Sequence, residues 1–270
     1  MINKTDQAEN KSKNKKAPIG MALGGGGVRG FAHLGLLQAM LEHDIKPDVI
    51  AGTSAGAMVG AFIAAGRYPL EIMELLRDKD LFGYSKLSWP KDGIFSLDGL
   101  RKILRKEVGY TRIEELPRKF IVTATNLNKG CPEYFESGDL VEIVVASSSV
   151  PFIFKPVEIN GHKYADGGIM DNLPIKPLLK CSKKIIASNI SPTEESHQLN
   201  NVFQIASRSF QLGLNAQNTS LKKKCDWFVE PKGLSKFEIF DIKGAQEAFD
   251  MGHKAFNVRK ARKLRGKKIA

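Results

Sequence analysis

Hydrophobic positions fall into short runs and helical stripes that alternate from near the start of the chain. Pro18-Ile19-Gly20-Met21-Ala22-Leu23 is a short apolar run and predicts a buried strand. Four glycines follow, Gly24 to Gly27, and apolar residues then recur at helical spacing through Phe31, Leu34, Leu37 and Leu41, ending near His43. Asp48-Val49-Ile50-Ala51 predicts a second strand, which runs through Gly52-Thr53-Ser54-Ala55-Gly56 into an Ala-rich helix reaching about Ala65. Strand, glycine turn and helix, twice over, is the grammar of a parallel α/β sheet.

Further helices are predicted over 69–78 and 97–108, separated by a long apolar loop, Leu81 to Phe95, that holds Phe82, Tyr84, Trp89 and Pro90. Lys119 to Ala124 reads as a strand and Asp139 to Ala146 as a helix. Asn160-Gly161, between two β-prone runs in Val157 to Tyr164, signals a hairpin. Lys184 to Ser188 is another strand, 199–222 a long helix, Trp227 to Val229 a last strand and 243–263 a closing helix. With no repeat and no linker, the pattern predicts one α/β domain: a three-layer α/β/α sandwich on a mainly parallel sheet. Residues 1–16 lack apolar periodicity and are expected to form a disordered basic tail. The folded domain is expected over 17–260, with a second basic tail at 261–270.

A chain of 270 residues buries about three quarters of its unfolded surface, enough to fold without disulfides. No window approaches eighteen consecutive apolar residues, and Met1 to Asp6 leads into no apolar core. Neither a transmembrane helix nor a Sec signal is therefore expected, and the cytoplasm is the default. Cys131, Cys181 and Cys225 are odd in number and far apart, which fits a reducing compartment and offers no zinc site. The net charge is +12, of which residues 1–16 carry +3 and the stretch from Lys254 onwards carries +8, leaving +1 for residues 17–253. Basic ends suit an anionic surface, or are simply solvated helix charge. The near-neutral body argues against nucleic acid as a partner.

Two glycine signals carry candidate chemistry. Gly25-Gly26-Gly27-Val28-Arg29-Gly30 fits G-x-G-x-x-G between strand and helix, the spacing of a dinucleotide fingerprint. That fingerprint needs an acid at the end of the second strand, where this chain has Ala51-Gly52-Thr53; Asp48 stands at the wrong end. A glycine run opening a helix also turns backbone N–H groups outward beside the positive end of the helix dipole, where an oxyanion is as welcome as a phosphate. Gly52-Thr53-Ser54-Ala55-Gly56 is G-x-S-x-G between strand and helix, which places Ser54 on a strained turn with its hydroxyl at the carboxyl edge of the sheet. The bland alternative is a tight turn whose serine caps the helix. Neighbouring turns of a parallel sheet lie side by side, so a nucleophile at Ser54 would sit beside the outward amides of Gly26, Gly27 and Val28.

A serine nucleophile needs a base. His197 and His253 follow Ser54 in the order of a histidine triad, but His197 lies in a polar loop and His253 on the last helix. Asp166, in Tyr164-Ala165-Asp166-Gly167-Gly168, is the other candidate, and a simple Asx turn explains it equally well.

The blocks Gly25 to Gly30, Gly52 to Gly56 and Asp166-Gly167-Gly168 resemble the three signatures of patatin-like phospholipases. Ala146-Ser147-Ser148-Ser149-Val150-Pro151-Phe152-Ile153-Phe154-Lys155-Pro156 is similar to a fourth block of the bacterial members, with Ser149 where alanine is commoner. The resemblance covers about residues 18–260. It implies a Ser–Asp dyad, with Ser54 as nucleophile and Asp166 as base. It also implies an oxyanion hole in the loop Gly25, Gly26, Gly27, Val28, Arg29 and Gly30, with Arg29 its fixed companion. Asp171 is the local decoy for the base, read as part of a capping turn. His33 is either a core histidine or a group tying the first helix to the site. The implied activity is lipid acyl-ester hydrolysis with no metal and no cofactor, and the basic carboxyl end is expected to touch anionic membrane from the cytoplasmic side. The alternative is a binding protein on the same scaffold without turnover. The apolar loop at Leu81–Trp89 and the helix at Asp139–Ala146 are candidates for an acyl pocket, or for ordinary core.

Overall fold

Alternation of side chains along the strands decides the layering. The computed structural model describes residues 17–77, 97–192, 222–237 and 242–264, with isolated positions between 199 and 213. The expected tail at 1–16, the loop around Leu81–Trp89, His197, most of the helix expected over 199–222 and residues 265–270 lie outside the described residues.

One sheet holds β1 (Ala17–Leu23), β2 (Val49–Thr53), β3 (Lys119–Asn126), β4 (Cys131–Phe135), β5 (Val157–Ile159), β6 (His162–Asp166), β7 (Ser182–Ser188) and β8 (Trp227–Val229). Their order is β5-β6-β3-β2-β1-β7-β8, with β4 pairing β3 off that path. The pairs among β3, β2, β1, β7 and β8 are parallel, and β4, β5 and β6 add antiparallel pairs. Among the described residues, the helices are α1 (Phe31–Glu42), α2 (Ala55–Ala64), α3 (Pro69–Arg77), α4 (Asp98–Glu107), α5 (Leu140–Ser147), α6 (Gly168–Asp171), α7 (Ile175–Cys181), α8 (Ala245–Lys254) and α9 (Val258–Leu264).

Successive strand residues point to opposite faces. Ala22, Val49, Ala51, Ile121, Ile185 and Ala187 pack with Ile175 and Leu178 of α7. Met21, Leu23, Ile50, Phe120, Val122 and Ile186 enter the larger core with α1, α2 and α8 on the other face. This is the three-layer sandwich the pattern predicted. Asn160 and Gly161 turn the β5–β6 hairpin with φ 49° and 76°, as an Asn-Gly pair favours. The described residues contain no helix long and apolar enough to cross a membrane.

Some elements differ from the expectation. β4 was not foreseen, because Pro132 and Glu133 interrupt its pattern and its residues are only half-buried. α6 and α7 are too short for their period to register. The closing helix breaks at Ala255–Asn257 into α8 and α9, and buried Ala261 carries folded structure past residue 260.

One strand edge positions the site. Val122 and Thr123 pair with both β2 and β4, and Ala124 to Asn126 pair with both β4 and β6. A strand has two edges, so β2 and β6 share one edge of β3 and meet there carboxyl end to carboxyl end. Thr53 pairs Thr123 and Asp166 pairs Ala124. The residue after β2 and the last residue of β6 therefore arrive at one point.

Candidate active site

Ser54 follows β2 at φ 53° and ψ −120°, and its side chain makes no capping bond to α2. A non-glycine residue with positive φ costs on the order of 1–3 kcal/mol, which the surroundings must offset. The flanking glycines permit the turn. A Cβ on Gly56 would collide with the Leu23 carbonyl of β1, and one on Gly52 with the Gly56 carbonyl. The bland reading of Ser54 as a helix cap is thereby set aside.

A third residue pins the turn. The Ser147 hydroxyl, at the end of α5, accepts the Ser54 N–H at 2.8 Å and donates to the Thr123 carbonyl at 2.7 Å. Ser147 lay within the fourth sequence block, but this role is a long-range contact that no local pattern announces. Ser147→Ala strips one bond from the strained elbow and one from β3. We expect a loss of about 1–3 kcal/mol, read by chemical denaturation.

Asp166 is buried, and its carboxyl lies close enough to Ser54 for the serine to favour its ionised form. Oδ1 accepts the Gly168 N–H at 2.7 Å, so the Asx turn is present as well. The Asp166 N–H donates to the Ser149 carbonyl (2.9 Å), its own carbonyl accepts from Thr125 Oγ1 (2.9 Å), and the Gly167 N–H donates to the Ser147 carbonyl (3.3 Å). Burial pushes the Asp166 carboxyl up to about 6, against the opposing pull of Ser54 and the Gly168 bond. A carboxylate in this range is a better proton acceptor than an ordinary aspartate, and it stays ionised near neutrality.

The glycine loop lies against the serine. A Cβ on Gly25 would stand 3.1 Å from Ser54 Cβ and 2.6 Å from Asn172 Oδ1, and one on Gly30 3.0 Å from Ala55 Cβ. Gly24 donates to the Ser188 carbonyl, Gly25 to the Asn172 carbonyl and Arg29 to the Gly26 carbonyl, at 3.1, 3.2 and 3.3 Å. Those amides are engaged within the protein. Gly26 precedes, and Gly27 and Val28 open, the helical turn Gly27–Gly30, whose first N–H groups have no acceptor within the turn itself. Arg29 is buried, and its guanidinium donates to the carbonyls of Phe237 (2.9 and 3.2 Å) and Ser235 (3.3 Å), tying the loop to the segment before α8.

His33 is fully buried and held near a pKa of about 4, chiefly by burial. The Gly24 carbonyl can only accept, so Nε2 donates to it (2.8 Å) and neutral Nδ1 accepts from the Ser188 hydroxyl (2.9 Å). His33 is thus a core histidine and also a tie between the glycine loop and β7.

The rival groups are occupied elsewhere. The Asp171 carboxylate accepts from Tyr134 Oη at 2.5 Å, and its carbonyl accepts from Thr53 Oγ1 at 3.0 Å. Asp171 braces the elbow from behind. His253 faces Glu42 at 2.9 Å on the surface of α8. Asp48 accepts the Ile19 N–H at 2.8 Å, at the amino end of β2. The helix Leu140–Ser147 gives its apolar residues to the core. Among the described residues, no group of three or more histidine, cysteine or acidic side chains is placed to hold a metal.

The family model "Patatin-like phospholipase" matches residues 21–179. The chain belongs to this family. It is 36% identical over 162 residues to "Uncharacterized NTE family protein Rv1063c" of Mycobacterium tuberculosis, covering 59% of this chain and 45% of that protein. It is 34% identical over 172 residues to "Lysophospholipase NTE1" of Saccharomyces cerevisiae, covering 58% of this chain and 10% of that protein. The chain therefore spans less than half the length of these curated relatives. VipD from Legionella pneumophila is similar in fold, with a TM-score of 0.55 at 16% identity, over 92% of this chain and 67% of that one. The patatin fold accounts for the mostly parallel sheet between helical layers.

Proposed function

We propose that this patatin-like protein is a serine lipid acyl hydrolase of the phospholipase A, lysophospholipase or carboxylesterase type. The observation that carries the reading is the meeting, at one edge of β3, of Ser54, held at positive φ with no capping bond, and the buried carboxyl of Asp166. Kinship with proteins named lysophospholipase supports the substrate class.

In this reading Ser54 Oγ attacks the ester carbonyl while its proton passes to Asp166. The carbonyl oxygen becomes an oxyanion facing the amides of Gly26, Gly27 and Val28, a donor set of the kind that stabilises tetrahedral intermediates. Collapse breaks the bond to the alcohol oxygen, which takes the proton from Asp166 as it departs and leaves the acyl group on Ser54. Asp166 next removes a proton from water, which attacks the acyl-enzyme. The fatty acid leaves and Ser54 recovers its proton.

The test is fatty-acid release from micellar lysophosphatidylcholine by the full chain, together with intact-mass labelling by a fluorophosphonate. Release plus a single adduct at Ser54 is the expected result. A folded protein that neither releases fatty acid nor takes the label would overturn the reading in favour of a binding scaffold.

A further inference from the structure

The segment joining α5 to β5 carries a side chain that the dyad does not account for. Phe152 is 93% exposed and has φ 68°. Either feature alone is unremarked on many surfaces, but together they oppose folding twice at one residue. Glycine is the default where the backbone turns left-handed, and an aromatic ring there is held in strain. Water gives the exposed ring no compensation.

The turn that presents the ring is firmly built. Val150 N–H donates to the Ser148 carbonyl, and Ile153 and Phe154 N–H both donate to the Val150 carbonyl, at 3.0, 3.2 and 2.9 Å. Ile153 and Phe154 are buried behind it. The same segment begins with the residues that hold the dyad, Ser147 on Ser54 and Ser149 on Asp166. Phe152 is three positions beyond Ser149, so their Cα atoms are at most about 11 Å apart. The ring therefore stands close to the candidate site, on a support continuous with it.

Charge indicates what meets it. From Ile143 to Val157 the only ionisable side chain is Lys155, a cation on the exposed surface. An exposed aromatic ring three positions from an exposed cation suits the boundary between acyl chains and anionic headgroups. The larger basic cluster faces elsewhere. Lys222, Lys223 and Lys224 precede β8, and Cys225 lies within the field of both Lys222 and Lys260 of α9. That is the amino end of strands whose carboxyl ends lead to Ser54, so the carboxyl edge needs a lipid contact of its own.

We propose that Phe152 is an interfacial wedge, which enters the apolar layer of a membrane or micelle and seats the Ser54 mouth on the lipid surface that holds the substrate. The inference rests on the acyl-hydrolase reading for its substrate, but lipid contact is measurable without turnover. The experiment compares sedimentation of the full chain carrying Ser54→Ala with Ser54→Ala/Phe152→Gly, on mixed phosphatidylcholine and phosphatidylglycerol vesicles. Alongside it, the parent, Phe152→Gly and Phe152→Trp are assayed on vesicle phospholipid and on a monomeric short-chain nitrophenyl ester. Phe152→Gly is expected to weaken vesicle binding and vesicle hydrolysis by about tenfold or more, the worth of one buried aromatic ring. Its soluble-ester rate should match the parent, its Tm should not fall because glycine suits the turn, and Phe152→Trp should keep both vesicle readouts. Unchanged vesicle binding would overturn the proposal, and so would an equal loss on the soluble ester, which would make the ring part of the site. Weakened vesicle binding in a protein that cleaves no ester would support the wedge and sink only the hydrolase reading.

Discussion

Ser54→Ala is expected to lower ester hydrolysis by about ten-thousand-fold to a million-fold, to the level of a binding cleft with amide donors but no nucleophile. The substitution removes a single oxygen. It leaves the Ser54 N–H on Ser147, the glycine contacts and the Asp166–Gly168 bond in place, so far-ultraviolet circular dichroism and Tm should stay close to the parent. Fatty-acid release from lysophosphatidylcholine and fluorophosphonate labelling should both vanish. Residual turnover near the parent rate would show that the attacking oxygen lies elsewhere, and Ser147 would be the first place to look. Because Asp166 keeps its burial in this variant, the outcome separates loss of the nucleophile from loss of the base.

Asp166→Asn is expected to cost about a hundred- to ten-thousand-fold in kcat, the usual worth of a positioned general base. Asparagine keeps the shape and an acceptor for the Gly168 N–H, but it cannot take the Ser54 proton. The parent's pH profile gives the independent mark. A base with its pKa raised to about 6 must be ionised to act, so activity should rise through pH 6 and level off above it, and the variant should lose that limb. Stability runs the other way. A carboxyl whose folded pKa exceeds its unfolded value near 3.8 favours the fold below pH 3.8, and that contribution is lost as pH rises through about 6. At pH 7 the buried charge thus costs up to about 3 kcal/mol. Asp166→Asn should therefore be inactive and at least as stable as the parent at neutral pH, with the difference shrinking in acid. A variant that is both active and less stable would remove Asp166 from the base role.

Some of this was legible in the sequence because steric demands leave marks on composition. Gly52 and Gly56 exist because Cβ atoms would enter neighbouring carbonyls, and such needs write themselves as G-x-S-x-G. The parallel strands announced themselves as apolar runs, since both of their faces are buried. Asp166 was different. As a bare Asp-Gly-Gly it reads as a turn as readily as a base, and the structure keeps that turn in the Gly168 bond; the family resemblance is what favoured pairing it with Ser54. The roles of Ser147 and of Tyr134 on Asp171, and the Ser188 partner of His33, were illegible because each contact joins distant segments through one ordinary polar residue. The sequence reading placed the free amides at Gly26, Gly27 and Val28, and the family resemblance widened the oxyanion loop to Gly25–Gly30; the Gly25 amide is held by the Asn172 carbonyl.

The shared edge of β3 works as a ruler. β2 and β6 stop against consecutive residues, Thr123 and Ala124, so Thr53, the residue before Ser54, and Asp166 stand one backbone step apart along β3. The long stretch of chain between Ser54 and Asp166 has no say in that spacing. Relatives can lengthen or trim those intervening loops and still keep the two groups together. Inserting one residue into β3 between Thr123 and Ala124 would leave both groups intact and shift them out of register.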